Sequence, residues 1–152
     1  MVTDKDIIAS MLVKWAARST LAALVPAATV FADRIAEGVG AEAGTAAAYI
    51  RVDEGEINRF GDTLYWRKFD VEVGVSCISS DGTSESIRSA VVGAFGGNST
   101  DWTAGLTLTG ANVMHCIQKD DGGIKPKPGV RLNGSDVLAV TTFFEVMVNG
   151  AS

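Results

Sequence analysis

The chain has 152 residues, 47% of them hydrophobic and 20% charged, with a formal net charge of −5 and a mean hydropathy of +0.21. That length supports one core and is short for two ordinary domains, so residues 1–152 read as a single domain. The acidic balance excludes a protein that grips nucleic acid by neutralising phosphates, which needs a clustered basic face, and the apolar composition points to surface covered by partners.

Thr3-Asp4-Lys5-Asp6 resembles a capping box with Asp in place of the usual Glu, and Ile8, Met11, Leu12 and Trp15 mark one helical face. This pattern predicts a helix from Asp4 to Arg18. Ser19 to Leu24 makes a second short helical turn that Pro26 ends, and Thr29 to Ala32 follows as a brief strand. Glu37 to Thr45, with Gly38, Gly40 and Gly44, has no periodicity and reads as a flexible loop. Ala46 to Val52 is the next strand. Gly55 to Thr63 connects it, as a wide hairpin projecting from the domain, to a long strand from Leu64 to Ser79.

Within that long strand, Phe69 to Cys77 alternates apolar and polar strictly. Across Ser79-Ser80-Asp81-Gly82 the period changes from 2 to 3.6, because Ile87, Ala90, Val91, Ala94 and Phe95 repeat at helical spacing. Asp81 or Thr83 can cap this helix and Gly96-Gly97 can supply its left-handed stop. Asn98 to Gly105 reads as a polar loop around Trp102, Leu106 to Thr109 as a brief pairing, and Ala111 to Gln118 as a strand. Lys119 to Gly134 holds Pro126, Pro128 and four glycines and reads as a long loop. Val137 to Asn149 is the closing strand, with Leu138, Val140, Thr142, Phe144, Val146 and Val148 on one face. The fold class is α+β: a mostly antiparallel sheet with a long central strand, one main helix packed on it and an N-terminal helix.

Asp4, Lys5 and Asp6 in the first turn argue against a secretory leader. The longest apolar stretch, around Leu21 to Ala32, is broken by Pro26 and too short to span a bilayer, so no membrane segment is expected. Cys77 and Cys116 read as reduced thiols of a cytosolic product.

Candidate chemistry is sparse. His115-Cys116 is the one place where a histidine and a cysteine meet, and neighbours on a strand face opposite ways, so no shared metal is expected. Gly93 to Thr100 ends a helix where a phosphate cradle must begin one, and it lacks the lysine of a P-loop. Asn98-Ser99-Thr100 and Asn133-Gly134-Ser135 match the glycosylation pattern by chance. Asp53, Glu54 and Glu56 form an acidic cluster that reads first as a solvated turn. Its alternative is a soluble ligand-binding module or small enzyme using those carboxylates with His115. Lys125, Lys127 and Arg131, spaced by Pro126, Pro128 and Gly129, form a stiff basic loop that reads equally as solvated charge or as a patch that meets an acidic neighbour. Trp66 opens a charged stretch and Trp102 sits in a polar loop, so each suits an interface better than a core.

In this order of elements the chain resembles the tail-terminator and tail-completion proteins of long-tailed bacteriophages. The likeness rests on the helix ending near Trp15, Leu21 to Val25 leading to Val30-Phe31, Ala48-Tyr49-Ile50, the strand Phe69 to Ser79, the helix Ile87 to Phe95, and Phe143 to Val148. A proline that such proteins often carry before the Tyr49 strand is replaced by Ala46-Ala47-Ala48, which leaves neighbouring neck and minor tail proteins open as the subfamily. The resemblance implies a non-enzymatic structural protein of the virion, made in the host cytoplasm, without cofactor or metal. It implies a ring, most often a homo-hexamer, that caps the tail tube, stops its growth and meets the head-completion or connector protein. DNA passes through the lumen without specific binding. The interface candidates are Glu56, Arg59, Phe60, Trp66, Trp102, Lys125, Lys127 and Arg131. The loops that carry them are expected to be disordered in the free chain and to order on assembly.

Overall fold

The computed structural model describes residues 1–37, 39, 45–79, 82–98 and 100–151. Helix α1 spans Asp4–Ala17 and α2 spans Ser19–Leu24. The Asp6 carboxylate accepts hydrogen bonds from the Thr3 backbone N–H at 2.8 Å and from the Thr3 hydroxyl at 3.1 Å, so Asp does the work of the customary Glu at the first turn. After Pro26 comes a single 3-10 turn, Ala27–Thr29, and then the short strand β1, Val30–Ala32. The buried face of α1 is Ile7, Ile8, Met11 and Trp15, with Leu12 only half-buried. Trp15 can be fully buried because its indole N–H donates to the Val25 carbonyl at 2.9 Å.

Strands β2 (Ala47–Phe60), β3 (Leu64–Ile78), β4 (Ala111–Leu132) and β5 (Ser135–Ala151) complete one five-stranded sheet in the order β1-β2-β3-β5-β4. Among the described residues only the β1–β2 pairing is parallel. Helix α3, Ser84–Phe95, returns from the end of β3 and packs on β5 and β4, while α1 lies over β2. Phe69, Val71, Val73 and Val75 of β3 join Val140, Phe144, Val146 and Val148 of β5 in a core that also holds Ile87, Val91 and Phe95. The Phe95 ring is 6.0 Å from both Trp15 and Phe144, which ties α1, α3 and the sheet together.

Two expected loops are strands. The Gly55–Thr63 connection shrinks to a turn at residues 61–63, since β2 continues to Phe60 past a register shift between Glu54 and Ile57. This hairpin does not project as a free arm, because β5 pairs with β3 as far as Leu64 opposite Ala151. The Lys119–Gly134 segment is likewise not a loop but the outer half of β4. Its glycines and prolines are absorbed by register shifts, the widest between Pro126 and Arg131, where a missing proline N–H costs nothing. The turn into β5 is Asn133-Gly134, with φ of 51° and 81°, the two left-handed residues that a tight hairpin requires.

At α3 the residue before the helix, Thr83, makes no side-chain cap, contrary to expectation, and Asp81 lies outside the described residues. Gly97, at φ 68°, supplies the left-handed stop, and a Cβ there would lie 2.5 Å from the Cys116 carbonyl. Gly96 instead keeps a right-handed φ of −70°. The brief pairing near Leu106–Thr109 is a single bridge, Leu108 to Ala111.

Candidate functional site

Alternate residues of β2, β3, β4 and β5 form a second sheet face on which, among the described residues, no helix of the core packs, and it carries charge instead of hydrocarbon. Glu145, in the middle of β5, is its hub. Its carboxylate lies 2.9 Å from His115 Nε2 and 3.2 Å from Lys68 Nζ, with Lys119 at 3.9 Å. Lys68 and Lys119 also reach Asp70, at 3.9 and 3.3 Å. Partial burial pushes the Glu145 carboxyl up, but hydrogen bonds from His115 and Lys68 outweigh it and hold the group below its usual range. The bond to Glu145 is also the main reason that Lys68 is raised. Further along, the Tyr49 hydroxyl donates to Glu72 at 2.7 Å and Arg51 pairs with Glu72 at 3.2 Å. Burial first, and then the Glu72 carboxylate, push the Tyr49 phenol up to about 12. Opposite it, Gly74 leaves room for the ring, since a Cβ at that glycine would sit 2.3 Å from the Tyr49 ring. A cleft of about 330 Å³ between Arg51, Asp53, Asp70, Glu72, Lys119 and Phe143 crosses this face.

The acidic cluster does not assemble into a site. Glu54 is spent on structure: its carboxylate pairs with Arg67 and accepts the Asp4 backbone N–H. Asp53, its neighbour on the strand, faces the other way and lines the charged cleft. His115 is on β4, separated from β2 by β3 and β5, or roughly 14 Å at ordinary strand spacing. Cys116 faces the core, and its thiol donates to the Phe95 carbonyl at 3.1 Å; burial, with Asp101 adding to it, pushes that thiol up to about 12. Among the described residues no group of three or more His, Cys, Asp or Glu is placed to hold a metal ion, and no helix is long and apolar enough to cross a membrane.

The interface candidates fall into three places. Glu56, Arg59, Phe60 and Trp66 share the β2–β3 end of the sheet, where the Phe60 and Trp66 rings meet edge to face at 5.5 Å while remaining 53% and 40% exposed. Lys125, Lys127 and Arg131 are exposed at the opposite end, on the β4–β5 hairpin. Trp102, 57% exposed, sits in a loop whose described residues are tied by hydrogen bonds. The Asn98 side-chain oxygen there accepts from Thr100 and Asp101 backbone N–H groups at 2.9 and 2.8 Å, and the Trp102 carbonyl accepts from Cys116 N–H at 2.6 Å. The fourth expected loop, Gly38–Gly44, lies almost wholly outside the described residues.

Leu64, 55% exposed, is not among the interface candidates that the sequence offers. The signal was its parity, since it shares the helix-free face with Trp66, Lys68 and Asp70 rather than the core face with Tyr65 and Phe69. Met1 and Val13, at 51% and 73%, are also exposed, beside a groove of about 690 Å³ along α1.

Against known proteins, no family profile matches the chain and no curated protein matches it by sequence. Solved structures do match. A chain from the virion of a native gene transfer agent particle superposes on it with a TM-score of 0.66, over 96% of both chains, at 18% identity. The chain is similar in fold to a virion protein. A second solved chain aligns over 96% of both at 14% identity, with a TM-score of 0.50. At such identities the likeness is one of fold, and it runs from end to end of the molecule.

Proposed function

We propose that this chain is a non-enzymatic structural protein of a phage-like virion, which caps the tail tube as a homo-oligomeric ring, ends tube growth and forms part of the head–tail joint. The observation that carries the reading is the superposition on a gene transfer agent virion chain over 96% of both chains. Two features of the site support it. Of the groups that the enzyme alternative would use, Glu54 and His115 are each held in a cross-strand pair, on strands at different places in the sheet. Among the described residues the helix-free face balances its cations with carboxylates and so offers no clustered positive charge to hold passing DNA. In this reading the chain is made in the host cytoplasm and ends in the virion neck, between the tube protein and a connector protein.

The test is to add purified chain to the polymerising tube protein from the same genome. A terminator binds one tube end and shortens the length distribution as its concentration rises, as seen by negative stain. Tubes of unchanged length that carry no bound chain at either end would contradict the proposal.

A further inference from the structure

Asp70 on β3 and Glu145 on β5 stand directly opposite each other on the helix-free face, and Asp53 on β2 stands directly opposite Asp70. Like charges in that register repel, so the row holds only where cations are set against it. Two lysines meet there. Lys68 Nζ lies 3.2 Å from Glu145 Oε1 and 3.9 Å from Asp70 Oδ1, while Lys119 Nζ lies 3.9 Å and 3.3 Å from the same two oxygens. The four groups close a ring of alternating charge, and His115 Nε2 extends it at 2.9 Å from Glu145 Oε2.

His115 and Lys119 reach this row through two register shifts in β4. Between Val113 and His115, and again between Gln118 and Asp120, β4 holds one residue more than β5. An extra residue of this kind re-aims the side chains beside it. Cys116 keeps the core side, whereas Lys119 and Asp120, neighbours in sequence, both line the charged cleft. The result is a tie that reaches further than the ladder. Backbone pairing joins the edge strand β4 to β5, but the Lys119 ammonium crosses β5 and meets Asp70 on β3. From the core side α3 holds the same stretch separately, through Arg88 on Asp121 at 3.0 Å.

We infer that this ring of charges is an electrostatic clasp on the edge strand, which locks residues 115–124 of β4 and releases them when its carboxylates take up protons. Neutral Asp70 and Glu145 leave the Lys68 and Lys119 ammoniums, with the protonated His115 ring beside them, facing one another across three strands. The other charged groups of the adjoining cleft are Asp53, Asp120, Arg51 and Glu72, and the last two pair with each other. Against the upward push of partial burial, His115 and Lys68 hold the Glu145 carboxyl below its usual range, so release belongs to acid and not to neutral pH. The edge strand opens first, because every other strand of the clasp is paired on both sides. The clasp is a property of the free chain and stands whether or not the chain caps a tube.

The test is amide hydrogen exchange of the whole chain, read by mass spectrometry as protection over the unfolded rate at each pH, with residues 71–75 of β3 as the internal reference. In the wild type, protection of residues 115–124 falls about 5-fold or more relative to β3 between pH 7 and about pH 3.5. Lys119→Gln, which leaves the ladder and the Arg88–Asp121 pair in place, shows the lower protection already at pH 7 and little further loss in acid. Raising salt to about 1 M at pH 7 loosens β4 in the wild type and leaves Lys119→Gln unchanged. If β4 and β3 lose protection together in the wild type, or if Lys119→Gln keeps the wild-type response to acid and salt, the clasp is overturned.

Discussion

Along β3, Phe69, Val71, Val73 and Val75 are almost fully buried beneath the helices, whereas Lys68, Asp70 and Glu72 between them stand on the other face and pair with Glu145, Lys119 and Arg51. The same backbone thus carries two regimes. On the helix side each residue is held by removal of apolar surface from water, which is worth roughly 1.5–3 kcal/mol per large side chain. On the open side ion pairs, half exposed and screened, are worth about 1 kcal/mol or less each. Stability therefore resides in one face, which leaves the other free to be shaped by solubility and by contact with partners.

The largest effect is expected where the first regime is broken. Val91, 1% exposed, sits in the contact between α3 and the sheet. Val91→Asp places an unpaired charge there and should cost at least about 3 kcal/mol, a large share of a small domain's stability. Thermal melts check this, and a soluble Val91→Asp chain that melts cooperatively near the wild-type temperature would mean that α3 does not pack as described. On the open face, Gly74→Val collides with the Tyr49 ring and should cost about 1–3 kcal/mol as the ring is pushed aside. The same change should lower the Tyr49 phenol from about 12 towards 10, readable by ultraviolet titration, since burial and Glu72 hold it up.

These two substitutions also mark what could be read from the chain beforehand. Val91 was legible because Ile87, Ala90, Val91, Ala94 and Phe95 share one helical stripe, and the Phe69–Cys77 alternation placed the buried parity of β3 correctly. The outer half of β4 was not. Prolines and glycines between Lys119 and Gly134 look like loop composition, yet an edge strand can place them at bulges where no ladder bond is lost. Asn133-Gly134 is the hairpin signal that outweighs them, although the same residues also open a glycosylation pattern. The acidic cluster could not be judged from spacing alone. Whether Glu54 is free depends on Arg67 and the Asp4 amide, which only the fold brings beside it. The charged hub was equally hidden, since His115, Lys68 and Glu145 come from three strands.

A smaller effect is expected at that hub. Glu145 lies below its usual range in the folded chain, so its contribution is present above the unfolded carboxylate value near 4.5 and is lost as pH falls through the lower folded value. Glu145→Gln should cost about 1 kcal/mol or less at neutral pH, discounted for solvent screening. It should also flatten the acid limb of a stability-against-pH curve. An acid limb identical in both chains would show that the hub contributes nothing. An effect silent at neutral pH concerns Cys116, whose thiol is pushed up to about 12 because it is buried. It should stay unreactive towards thiol reagents in mildly alkaline buffer until the chain unfolds, and stability should decline as pH rises from about 9 towards 12. Rapid native-state labelling at Cys116 would place it at the surface.

The account stands or falls on whether this chain is part of a particle. Quantitative mass spectrometry of purified particles from the genome that encodes it measures that directly, with the tube protein as internal standard. A structural ring predicts the same whole number of copies in every preparation, retained through density-gradient purification. Loss of the chain during purification, or a copy number that drifts between preparations, would contradict it.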